Sequence, residues 1–195
     1  MKRSDEITVA YAKLLDRIMP TERNERYEDP LQEALELRGF GEITGGGTMQ
    51  QKNGEIEYCG IDLSLTDLDE SVPFVCRFLE ERGAAKGSRL EISTDAKNER
   101  VVPFGVVEGI GIYFDGVNLP DEVYRKCDVN VVIEEFSRLL EGEGEIRGHW
   151  QGPTETALYL YGGSGAKMWE LLAEYMESHP LCRGARVMPI TPEAD

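Results

Sequence analysis

The run Gly162-Gly163-Ser164-Gly165-Ala166-Lys167 is the sharpest local feature of the chain. Placed between a strand and a helix, such a run aims backbone N–H groups and a lysine at an anion. It departs from the P-loop pattern G-x-x-x-x-G-K-[ST], because Met168 stands where a hydroxyl residue would hold magnesium. The competing reading is a tight turn in which Ser164 caps the following helix. The corresponding loop of the first half, Thr66-Asp67-Leu68-Asp69-Glu70, carries acids where the second half has glycines and a lysine, so a shared phosphate site is not expected. With Asp62 these carboxylates offer the clustered oxygens a hard cation wants. Their spacing is not that of an EF-hand, and acids at a helix N-terminus follow from capping and the helix dipole alone. No metal site and no cofactor are predicted.

His149 and His179 are the only histidines, which restricts ordinary general-base and nucleophile-base chemistry, and no catalytic residue is assigned. His179 precedes Pro180 at a helix end, where an imidazolium complements the dipole. His149-Trp150, with Tyr159 or Tyr161, could line a groove, against the alternative of a cross-strand aromatic cluster. A ligand site between two halves of the chain would then combine His149, Trp150, Gly163, Ser164, Gly165 and Lys167. Glu134, Glu135, Glu141, Glu143 and Glu145 concentrate negative charge at a helix end, against the dipole. They form a docking patch for a basic partner, joined by Glu42, Glu55 and Glu57 if the halves align their strands; the alternative is a solvated loop. Cys59, Cys76, Cys127 and Cys182 form no C-x-x-C pair, so free, mostly buried thiols in a reducing cytoplasm are expected.

The elements that position these residues show an internal similarity. Gly41-Glu42-Ile43-Thr44-Gly45 follows a helix over 30–38 that Asp29 caps and Gly39 ends; Gly144-Glu145-Ile146-Arg147-Gly148 follows a helix over 129–140. Each leads to an alternating strand, 55–65 or 155–161, the first with a change of phase at Cys59-Gly60 that suggests a bulge. Helices over 71–82 and 166–178 come next. Each half closes alike, Lys86-Gly87-Ser88-Arg89-Leu90-Glu91-Ile92 matching Arg183-Gly184-Ala185-Arg186-Val187-Met188-Pro189. A strand over 110–114 completes β-α-β-β-α-β in the second half. In the first, the leading strand is either 101–104 or absent. Residues 6–19 have apolar positions at helical spacing up to Pro20 and predict an N-terminal amphipathic helix, with 21–29 as a connection.

The expected architecture is therefore α+β: two tandem ferredoxin-like units from an internal duplication, plus that N-terminal helix. The boundaries fall at 1–29, 30–105 and 106–195, packed as one unit. At 195 residues, 41% hydrophobic and 30% charged, the chain can bury its own core. No apolar run approaches the roughly 20 residues that span a bilayer, and acids rather than an apolar core follow Lys2-Arg3, so a cytoplasmic protein is expected. A net charge of -16 repels phosphate backbones and anionic membranes, which argues against nucleic-acid and membrane partners. It attracts a basic protein face. The reading that joins these features is a non-enzymatic acidic binding module, such as an inhibitor or immunity protein that neutralises a basic toxin. The alternatives are a small-molecule binder or enzyme and a structural homodimer formed through an exposed strand.

Overall fold

Thr8-Val9-Ala10-Tyr11-Ala12-Lys13-Leu14 alternates, and it forms a strand, β1 (Thr8–Leu14), with Ala10, Ala12 and Leu14 buried. The helix expected over 6–19 is thus corrected. Ala10, Ala12 and Leu14 satisfy a period of two, while Ala10, Tyr11, Leu14 and Leu15 satisfy one of 3.6. Pairing decides: β1 is hydrogen-bonded on both sides, to β3 (Ile56–Leu65) and β4 (Ser88–Asp95). Pro20, which ends the apolar pattern, instead opens α1 (Pro20–Arg23), where its missing N–H costs nothing. A π-helical turn, Asn24–Glu28, continues into α2 (Asp29–Arg38), so 21–29 is helical and Asp29 does not cap with its side chain. Gly39 does end α2, in the left-handed region at φ +64°.

A computed structural model describes residues 6–95 and 98–192; residues 1–5, with the basic pair Lys2-Arg3, lie outside the described residues, as do 96–97 and 193–195. The protein is α+β, with two antiparallel sheets. By contacts the chain divides into residues 1–50 with 56–106, and residues 51–55 with 107–195. The first unit continues through β2 (Gly41–Gln50), β3, α3 (Leu68–Glu81), β4 and β5 (Asn98–Phe104). Its strand order is β2-β3-β1-β4-β5. Residues 101–104 belong to β5, a trailing edge strand paired with β4 and not the leading strand, which is β1. The second unit runs β6 (Glu108–Asp115), α4 (Asp121–Lys126), α5 (Val129–Leu139), β7 (Gly144–Gln151), β8 (Glu155–Gly162), α6 (Gly165–Ser178), a 3-10 turn (Pro180–Cys182) and β9 (Arg186–Pro189), with strand order β7-β8-β6-β9. Apart from β5 the strand orders correspond, and both follow the ferredoxin-like sequence β-α-β-β-α-β.

No bulge falls at Cys59-Gly60, because β1 and β3 pair without interruption from Thr8↔Leu65 to Leu14↔Cys59. The bulges lie on the other side. Ile43 faces Leu63 while Gly45 faces Asp62, and Ile146 faces Leu160 while Gly148 faces Tyr159. Thr44 and Arg147 are therefore the extra residues, each fourth in its Gly-Glu-Ile-x-Gly motif. The closing segments correspond as well: Arg89 pairs with Lys13 and Arg186 with Tyr113. In each unit one sheet face packs on the helices, around Leu14, Ile61, Leu63 and Val75 in the first and Ile112, Leu160, Phe136 and Leu172 in the second.

Candidate functional site

β6 ends where its last residue, Asp115, enters a turn. Its carboxylate accepts from the N–H groups of Val117 and Asn118, each at 2.9 Å, and from the Asn118 amide at 3.0 Å. These donors, backbone first, hold the carboxyl below the usual aspartate range. Gly116 donates to the Thr154 carbonyl at 2.8 Å, fastening the turn to the tip of the β7–β8 hairpin. Tyr124 of α4 closes the loop, its hydroxyl accepting from Leu119 N–H at 2.9 Å and donating to the Asp115 carbonyl at 3.2 Å. Asp128 caps α5 through Oδ1, which accepts from the backbone N–H and the side-chain amide of Asn130, both at 2.9 Å. Glu155, at the start of β8, is held by Arg186 of β9 at 2.8 and 2.9 Å.

These groups ring a pocket of about 500 Å³ in the second unit. Phe114, Val132 and Leu181 give it an apolar floor, and Cys127 lies on its wall. Three lining residues are carboxylates, Asp115, Asp128 and Glu155, and none is Lys, Arg or His. Its chemistry suits a group that is apolar along its length and cationic at its end.

The five glutamates expected to form the docking patch are outside this lining. Glu134, Glu141 and Glu143 are exposed. Arg138 binds Glu135 at 2.5 and 3.0 Å and holds its carboxyl below the usual range. Glu145 is held at 2.9 Å by Arg147, whose own side chain is buried and lies over the Tyr161 ring. Glu42 and Glu57 are exposed, but Glu55 is 6% exposed and accepts from the hydroxyls of Tyr113 at 2.5 Å and Tyr159 at 2.9 Å. It anchors the turn over 51–55 and offers no surface charge. Trp150 adds to that anchor, donating from its indole to the Asn53 carbonyl at 3.3 Å.

His149 and Trp150 project to opposite faces of β7, opposite Leu158 and Ala157. His149 lies five residues along β7 from Gly144, which pairs with Gly162. At the strand rise the glycine-rich loop is thus roughly 16 Å away, and the structure does not bring the two groups together. Within the loop, Ser164 caps α6, accepting from Lys167 N–H at 3.3 Å. Gly165 N–H goes to the Glu108 carboxylate at 2.7 Å, and the Lys167 ammonium to Glu170 at 2.9 Å. The chain's own carboxylate thus occupies the position where an anion would sit. Asp67 begins α3 in the left-handed region without capping through its side chain. Among the described residues no group of three or more His, Cys, Asp or Glu is placed to hold a metal. His179 stacks on Tyr175, with ring centroids 5.1 Å apart.

No family model matches the sequence, and no curated protein matches it. Solved structures similar to the chain include protein BT0572 of Bacteroides thetaiotaomicron, 12% identical over 97% of this chain and 94% of that one, with a TM-score of 0.28. An unknown protein of Galdieria sulphuraria is 11% identical over 94% and 98%, with a TM-score of 0.29. The first two RRM domains of the yeast poly(U) binding protein are 12% identical over 94% and 99%, with a TM-score of 0.24.

Proposed function

We propose that the chain is a non-enzymatic binding module of the cytoplasm that engages a basic protein, as an inhibitor or immunity protein engages the toxin it neutralises. The observation that carries the reading is the pocket of the second unit, rimmed by Asp115, Asp128 and Glu155 and lined by no basic side chain. A net charge of -16 supports it by drawing basic surfaces into encounter. The matching strand orders, and bulges at the same residue of a repeated motif, support an origin of the two units by internal duplication.

The test is capture from the host extract on immobilised protein, eluted with rising salt, using two variants that each make the net charge one unit less negative. Thr154→Lys places a cation at the pocket; Glu33→Gln acts on the exposed face of α2. The expected result is a basic protein that elutes as salt rises, is lost with Thr154→Lys and is kept with Glu33→Gln. Salt-insensitive capture, no capture, or equal loss with both variants overturns the reading.

A further inference from the structure

We propose that the pocket of the second unit is the seat for a single lysine side chain of that basic partner; the inference rests on the reading above and names the group the partner inserts. The floor of Phe114, Val132 and Leu181 accommodates the methylene stem, and the rim carboxylates meet the ammonium. The rim is preorganised, since turn and cap hydrogen bonds already fix Asp115 and Asp128. Little ordering remains to be done on binding.

The free acceptors select lysine over arginine. An arginine fork wants both oxygens of one carboxylate. Arg186 already spans Glu155 in that way, and Val117 and Asn118 engage both oxygens of Asp115. Asp128 receives both of its hydrogen bonds at Oδ1, which leaves Oδ2 as a single acceptor. A compact ammonium with three rotatable donors can use the one free carboxylate oxygen of Asp128 together with the field of Asp115.

Cys127 gives a local readout, because it lines the pocket and is half-buried while Cys59, Cys76 and Cys182 are buried. The probes are three nonapeptides of glycine and serine that differ only at the centre: lysine, acetyl-lysine or arginine. The lysine peptide is expected to slow alkylation of Cys127 several-fold at saturation, and the other two to leave it nearly unchanged. Asp128→Asn keeps a good cap but removes the charge, and should raise the half-protecting concentration about threefold. Protection by all three peptides, by arginine as well as lysine, or by none overturns the proposal. A partner captured with Cys127 still open to alkylation sinks the lysine seat and leaves the binding reading intact. Protection by the lysine peptide without any captured basic protein does the reverse.

Discussion

Asp115 shows how a single turn sets a charge. Backbone and amide donors hold its carboxyl low, so the contribution it makes to stability is present above the ordinary aspartate range and is lost only as pH falls through the depressed native value. Amide shifts of Val117 and Asn118 followed by NMR should titrate with a midpoint below that of an unperturbed aspartate, and Asp115→Asn should flatten them; a midpoint at the ordinary value would contradict the turn. The thiols behave oppositely. Burial pushes Cys76 and Cys182 from the ordinary 9.0 to about 11, and Cys59 well up. Their folded-state values are raised, so the stabilisation is complete below pH 9 and declines as pH rises toward 11. At neutral pH a thiol reagent should titrate Cys127 alone in the native protein and all four cysteines once it is unfolded. More than one fast thiol in the native state would show that the packing around the other three opens readily.

At the scale of elements, the repeated Gly-Glu-Ile-x-Gly motif marks where two edge strands bulge. Gly41 carries φ +132°, and a Cβ there would run into the Ser64 carbonyl across the ladder. Gly41→Ala is therefore expected to cost about 2 kcal/mol or more, seen as a lower midpoint in urea, whereas Gly47→Ala, with open space around it, should stay within about 1 kcal/mol. Equal effects would mean that the backbone at Gly41 relaxes. The motif, the closing strands and the helices over α3, α5 and α6 were legible because their periodicity or turn chemistry is local. β1 was not, since its apolar residues carry two patterns, Ala10, Ala12 and Leu14 at a period of two and Ala10, Tyr11, Leu14 and Leu15 at one of 3.6, and only pairing with β3 and β4 decides between them. Hydrogen exchange should find the amides of Ala12 and Leu14 among the slowest of the first unit, and the edge strand β2 faster. The site was not legible: no motif marks Asp115 or Asp128, and Asp115 meets Glu155 through the antiparallel pairing of β6 with β8, which no spacing along the chain encodes.

For the whole molecule the governing quantity is the excess of 37 acidic over 21 basic residues. Several bases are already committed to neighbouring acids, Arg138 to Glu135, Arg147 to Glu145 and Arg186 to Glu155, and the more exposed of these pairs, Arg138–Glu135 and Arg186–Glu155, weaken in salt. Salt also screens the longer-range repulsion among the remaining carboxylates, most fully between charges farther apart than the Debye length of about 10 Å at 0.1 M. The two effects oppose each other, and the imbalance of charge decides the sign: repulsion between unpaired acids is the larger, so added salt should stabilise the fold. Raising NaCl from about 20 mM to about 500 mM is expected to gain on the order of 1 kcal/mol, which for a chain of this length raises Tm by about 2–4 °C. KCl should act alike, because screening depends on ionic strength and not on which cation supplies it. A Tm that falls with salt would place the balance of folding electrostatics with the local pairs and overturn the assignment of the larger effect to long-range repulsion.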